Sequence, residues 1–232
     1  MSIKDYLENS YDPNIPLSTD LFDKLQQDIL SGRLKKGSKL TEKKICEEYH
    51  VSRTPVRESL RKLETDGLIE SIPNRGAFVV GLSEQDLKDI YAIKSSVETR
   101  AIVWAIERIT AEELEKLKET FNYMVFYTHR NDIAKMISIN LTFHKIIYEA
   151  THNHMLEKQL STYQLYLESA LSSSYYLKSG LLNELLDEHR DIYKAFIERD
   201  TAAVVEALIR HNTNSYIRHF GESPSDAIMD LI

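Results

Sequence analysis

All five prolines of this 232-residue chain lie at positions 13, 16, 55, 73 and 224. The stretch from 84 to 223 therefore contains none, and nothing in it forces a helix to kink or stop. Strand signals are sparse there as well. Ser83-x-x-Asp86 and Thr110-x-x-Glu113 read as capping boxes that open two helices. Apolar residues at helical spacing predict further helices over 131–151, 153–178, 182–199 and 201–220. The larger part of the chain, residues 83–220, is expected to be an all-α bundle, with 221–232 as a frayed tail.

Four of the five prolines punctuate the front. Residues 1–17 are polar, hold Pro13 and Pro16, and predict a flexible arm. Ser18 or Thr19 can cap a first helix carrying Phe22, Leu25, Ile29 and Leu30, closed by Gly32. A basic loop over 33–40 follows. Thr41 then caps a short helix to Tyr49 with Ile45 and Cys46 inward, and Ser52 caps a third helix to about Asp66. Pro55 sits in that helix's first turn, where its missing N–H costs nothing. Leu68–Ile72 and Ala77–Gly81 are strand-like runs around the turn Pro73-Asn74-Arg75-Gly76. Three helices and a hairpin outline a winged helix-turn-helix over 18–82. The fold class expected is mainly α.

Charge divides along the same line. Residues 24–81 carry 12 Lys and Arg against 8 Asp and Glu, whereas 82–232 carry 16 against 23. A basic head on an acidic body suits a nucleic-acid binder whose body does not touch the duplex. No run of about 18 apolar residues exists to span a membrane, and the N-terminus lacks the apolar core of a signal peptide. The single cysteine, Cys46, permits no internal disulfide and reads as a buried filler. A cytoplasmic location is expected.

The segment Val51–Arg61, VSRTPVRESLR, places Ser52, Arg53, Thr54 and Arg57 in the leading turn of the third helix, with Arg61 one turn further on. Recognition helices enter the major groove with that end foremost. Hydroxyls there reach phosphates, and arginines one turn apart reach guanine edges or phosphates. Arg75 and Gly76 form the hairpin tip. On charges alone, the arginines read equally well as a solvated helix face.

The run Leu40–Ile69, LTEKKICEEYHVSRTPVRESLRKLETDGLI, resembles the winged helix of the GntR family of bacterial transcription regulators. The core SRTPVRE, the later Leu63-x-x-x-Gly67-Leu68 and the wing Asn74-Arg75-Gly76 carry the resemblance. It implies that Lys43, Ser52, Arg53, Thr54 and Arg57 touch double-stranded operator DNA, and that Gly76 lets the wing tip approach the minor groove. A homodimer reading a palindromic site would follow.

Seven of the eight histidines fall after residue 128. His144 shares a helix face with Ile133, Ile137, Leu141 and Tyr148. His189 shares one with Leu185, Ile192 and Phe196, and His211 with Val204, Leu208 and Ser215. One inward histidine usually has an ordinary hydrogen-bond partner. Three on separate helices suggest a bound divalent transition metal such as zinc or nickel. Asn140 lies four residues before His144, on the same face.

Residues 84–220 resemble the FCD domain of the FadR-type branch. Metal-containing members there carry Asp-x-x-x-His, then two further histidines, matching Asn140, His144, His189 and His211. The amide at 140 replaces a carboxylate and should bind a cation less strongly. The resemblance also implies a small carboxylate effector beside the metal. Lys94 stands where many members have an effector-clasping arginine, although lysine lacks the bidentate fork and a surface position would suit it equally. The rival readings are a metal-dependent hydrolytic enzyme using the three histidines and a protein-binding winged helix. No HExxH motif occurs, and Glu188 is expected to point away from His189's face of the helix.

Overall fold

The computed structural model describes residues 17–73, 75–170 and 180–224. The expected arm lies outside these apart from Leu17, as do Asn74 of the wing turn, 171–178 of the fourth expected bundle helix and 225–232 of the tail. The chain divides into two compact units, at Asp86 and Leu87.

In the first unit, helix α1 (Leu17–Leu30) buries Leu21, Leu25 and Ile29. These lie on one face at spacings of four. Helix α2 (Glu42–Tyr49) begins at Thr41, whose side chain accepts from the Lys44 amide at 3.3 Å. Helix α3 (Arg53–Thr65) turns Val56, Ser59 and Leu63 inward. Ser52 holds the N-cap position of α3, but its side chain makes no capping hydrogen bond. Arg33 ties the first two helices together, binding Asp28 on α1 and Glu48 and Tyr49 on α2.

The hairpin forms as strands β2 (Ile69–Ile72) and β3 (Gly76–Val79), with Ile69 opposite Val79 and Ile72 opposite Gly76. Both strands are shorter than their apolar runs. The basic stretch 33–40 is not all loop. Lys39–Leu40 forms strand β1, pairing with Phe78 and Ala77. The sheet order is β1-β3-β2, a winged helix-turn-helix with a third strand. Cys46 is half-buried rather than inward, and Ile45 alone fills the core from α2.

The second unit contains helices α4 (Glu84–Arg108), α5 (Ala111–His129), α6 (Ile133–Glu149), α7 (His154–Ala170), α8 (Leu181–Glu198) and α9 (Thr201–Phe220). Both capping boxes are present. Ser83 Oγ accepts from the Asp86 amide while Asp86 accepts from Ser83, and Thr110 and Glu113 do the same. Helix α6 packs on α5 and α7, and α8 packs on α5 and α9. Arg199 donates to the carbonyls of Ile106 and Ile109, satisfying orphan acceptors at the end of α4.

Near the start of α4, Tyr91 packs against Leu167 and Tyr216. Its hydroxyl lies 2.7 Å from Ser215 Oγ and 2.6 Å from His219 Nδ1. His219 Nε2 faces the Leu167 carbonyl at 2.8 Å and donates to it, while Nδ1 meets both the Tyr91 hydroxyl and, at 2.9 Å, the Ser215 carbonyl. The neutral ring accepts from Tyr91 at Nδ1, and only the protonated ring can donate to Ser215. Burial lowers the His219 pKa below its ordinary value, against the pull of the Leu167 and Ser215 carbonyls. The unfolded chain therefore binds a proton more readily than the folded one. Stability from this group is full above the ordinary histidine value and falls as pH drops through the window below it. Urea unfolding at pH 7.5 and pH 5.5 is expected to show a smaller advantage of wild type over His219→Gln at the lower pH. An equal advantage at both would contradict the neutral assignment.

Candidate metal centre and nucleic-acid interface

Helices α6, α8 and α9 bring His144, His189 and His211 together in the second unit, with exposures of 1%, 0% and 5%. One ring nitrogen from each lies within 4.8 Å of the other two. His189 Nδ1 donates to the Leu185 carbonyl at 2.6 Å, and His211 Nδ1 to Glu188 Oε2 at 2.8 Å. His144 Nδ1 faces Glu98 Oε1 at 3.7 Å. A neutral His189 or His211 with its proton on Nδ1 has a bare Nε2, whereas His144 Nδ1 stands beyond hydrogen-bond distance of Glu98 and leaves that ring's tautomer open. The Nε2 atoms of His144 and His189 are 3.4 Å apart. A hydrogen on one of these nitrogens or a cation between the two rings each accounts for that distance. Ligands about 2.1 Å from a tetrahedral ion stand about 3.4 Å from each other, so this pair fits a metal as placed.

The ionisation states suit ligation. Burial pushes His144 down to about 4, outweighing the pull of Glu98. His189 lies well below the usual histidine value, through burial and then the neighbouring His211 and His144. Burial alone would raise the Glu98 carboxyl, but Lys94 and His144 hold it well below the carboxylate range. Burial would likewise raise Glu188, but Arg218 and His211 keep it low. Carboxylates that accept from Nδ1 fix the ring and make Nε2 a better donor to a metal.

Asn140 lies on α6 with His144. It lines a small cavity of about 30 Å³ with Glu168, Gln164, His189, His211 and Arg218. The Asn140 Oδ1 is buried and has no hydrogen-bond partner. The donor set, one ring nitrogen from each of three imidazoles and one unused carbonyl oxygen, fits a divalent transition metal.

Lys94 is neither a surface residue nor part of this cavity's lining. It is 2% exposed, and its Nζ is 2.5 Å from Glu98 Oε2 and 3.4 Å from Asn212 Oδ1. Glu98 also accepts from Tyr148 and from Asn212 Nδ2. The expectation for Glu188 is corrected. It is 8% exposed and accepts from His211, Asn214 and both terminal nitrogens of Arg218. Residues 188 and 189 leave the helix about 100° apart, yet the longer glutamate chain still reaches α9. Sequence reasoning missed Glu98, Glu168 and Arg218 altogether.

In the first unit, Lys43, Ser52, Arg53, Thr54, Arg57, Arg61, Arg75 and Gly76 are all exposed. Arg57 Nε donates to Glu42 Oε1 at 2.7 Å. Arg57 and Arg61 on α3, Arg75 on the wing and Lys39 on β1 line one open groove. Lys39 and Arg75 each sit 5.9 Å from the Phe78 ring, which holds both charges at the wing. Lys39 was not singled out from sequence, though it belongs to the basic run 33–40. Gly76 has φ +96°, and a Cβ there would come within 3.1 Å of Lys39 Cε. A side chain at 76 would be strained by the backbone and crowded by that lysine.

Residues 89–214 match the FCD domain family, and residues 17–79 match the family described as bacterial regulatory proteins, gntR family. The HTH-type transcriptional repressor RspR of Escherichia coli (strain K12) is 24% identical over 225 residues, covering 95% of this chain and 97% of its own. The gluconate operon transcriptional repressor of Bacillus subtilis (strain 168) is 28% identical over 192 residues, covering 79% of this chain and 77% of its own. Among solved structures, E. coli McbR/YncC has the same fold, with a TM-score of 0.76 at 21% identity over 89% of this chain and 98% of that one.

Proposed function

This chain belongs to the FCD-domain branch of the gntR family, DNA-binding transcription regulators rather than enzymes, and from that premise we propose a metal-dependent, effector-controlled operator binder. It acts as a cytoplasmic homodimer, each winged helix-turn-helix taking one half-site of a palindromic operator. Arg53, Arg57 and Arg61 read or clamp the major groove, aided by Lys43, Ser52 and Thr54. Arg75 and Gly76 bring the wing to the minor groove. The described residues include no helix long and apolar enough to cross a membrane.

The convergence of one ring nitrogen from each of three buried histidines carries the metal part of this reading. His144, His189 and His211 hold the ion, with Asn140 Oδ1 beside them, and zinc or nickel suits imidazole-rich donors. When bound, the metal supplies a Lewis-acidic anchor for one end of a small carboxylate effector. The cavity beside it, about 30 Å³, is smaller than such an effector and must widen to admit it. A relative named for the gluconate operon fits such an effector. Lys94 contributes from behind, by holding Glu98 ionised against His144.

Effector binding shifts DNA affinity only if the effector prefers one arrangement of the protein. The decisive measurement is elemental analysis of purified wild type beside His144→Ala/His189→Ala. Wild type is expected to carry close to one metal per chain and the variant almost none. Equal content in the two would remove these histidines as ligands.

A further inference from the structure

Asn140 carries an acceptor that the rest of the protein does not use. Its Oδ1 is buried and unpartnered, whereas its Nδ2 donates to Glu168 Oε2 at 2.9 Å. Glu168 lies on α7, is 9% exposed and lines the same cavity as Asn140, His189 and His211. A carboxylate can accept from the nitrogen end of an amide but not from the oxygen end. Glu168 therefore decides which end of Asn140 faces it and leaves Oδ1 turned elsewhere. A negative charge against the N–H side also draws electron density toward the amide oxygen, since bonds in such a chain polarise one another.

We propose that Glu168 is a positioning residue for the metal: it aims the Asn140 oxygen and supplies, through the amide, the negative charge that a carboxylate at position 140 would carry. This inference rests on the metal reading above. The pair works as one charge spread over two side chains. An aspartate at 140 beside an unchanged Glu168 would set two carboxylates at hydrogen-bond distance with no proton to share, and like charges that close resist ionising together. Asn with Glu is compatible at positions 140 and 168, and so is Asp with Gln. Asp with Glu is not.

The test compares wild type, Glu168→Gln, Asn140→Asp and the double variant, each stripped of metal. Zinc affinity is measured by competition with a chromogenic chelator, and thermal unfolding is followed on the metal-free forms. Glu168→Gln keeps an acceptor for the amide, so metal-free stability should change little. Its zinc affinity should fall by about 10- to 100-fold, the usual effect of losing a partner behind a ligand. Asn140→Asp should improve affinity by a larger factor when combined with Glu168→Gln than when made alone, so that the double variant recovers at least wild-type affinity. A purely structural Glu168 cannot produce that rescue. The proposal is overturned if Glu168→Gln binds zinc as wild type does, or if Asn140→Asp changes affinity by the same factor in both backgrounds. Should wild type itself take up no zinc, the metal reading falls together with it. Uptake by wild type with an unaffected Glu168→Gln would remove only the role of Glu168.

Discussion

Changing Arg53 and Arg57 together to alanine is expected to lower operator affinity by roughly 100-fold or more while the protein stays folded. Both side chains are exposed on the leading turns of α3. The helix is held from its other side by Val56, Ser59 and Leu63. Arg57 pairs with Glu42, but both groups are largely open to water, where an ion pair adds little to stability. On DNA, the same guanidinium is expected to exchange that partner for a base edge or a phosphate. Each lost phosphate contact also flattens the dependence of log affinity on log salt by about 0.9. Fluorescence anisotropy on an operator selected from random duplexes, at four salt concentrations, reads both quantities. A double variant with wild-type affinity and wild-type salt slope would show that α3 is not the reading helix.

Glu98→Gln is expected to produce the largest loss of stability of any single change considered. Glu98 is 1% exposed and receives Lys94, Tyr148 and Asn212. Removing its charge leaves the ammonium of Lys94 buried without a counter-charge. Breaking a buried pair from one side costs about 3–5 kcal/mol. For a domain of this size, that lowers the melting temperature by roughly 10 °C. The metal-free proteins are the ones to compare, because Glu98 also faces His144 Nδ1 and its loss would act separately on the proposed metal site. Removing both partners, as Lys94→Met with Glu98→Leu, should recover much of the loss, because an apolar pair has no charge to strand. If the double variant melts no higher than Glu98→Gln, the pair is not the source of the effect.

The parts of the fold that could be read from sequence were those written locally. Proline placement marked the helical body, Thr41, Thr110 and Ser83 marked helix starts, and the change of period at Leu68 marked the hairpin. Strand β1 was invisible because two residues, Lys39 and Leu40, become a strand only by pairing with Phe78 and Ala77 far along the chain. The three histidines were legible because each shares a helix face with core residues. Their supporting carboxylates were not, since a glutamate on a helix ordinarily faces solvent. Glu98 did leave a trace. Tyr91, Lys94, Glu98, Ala101, Ile102 and Ala105 follow one buried stripe at helical spacing, and two opposite charges inside such a stripe mark an internal ion pair. For Glu188, backbone angle misled because the reach of the side chain exceeded the angular offset.

Arg218 at the cavity wall is closed off by the two oxygens of Glu188, and Lys94 behind it by Glu98. Neither cation projects a field into the surrounding water. An anion approaching this bundle is not drawn in from afar and is recognised only on arrival, at contact range. The winged head works the other way, with its arginines and lysines facing the solvent. DNA binding by the head is therefore expected to respond steeply to ionic strength, and the proposed effector site in the bundle to be nearly indifferent to it.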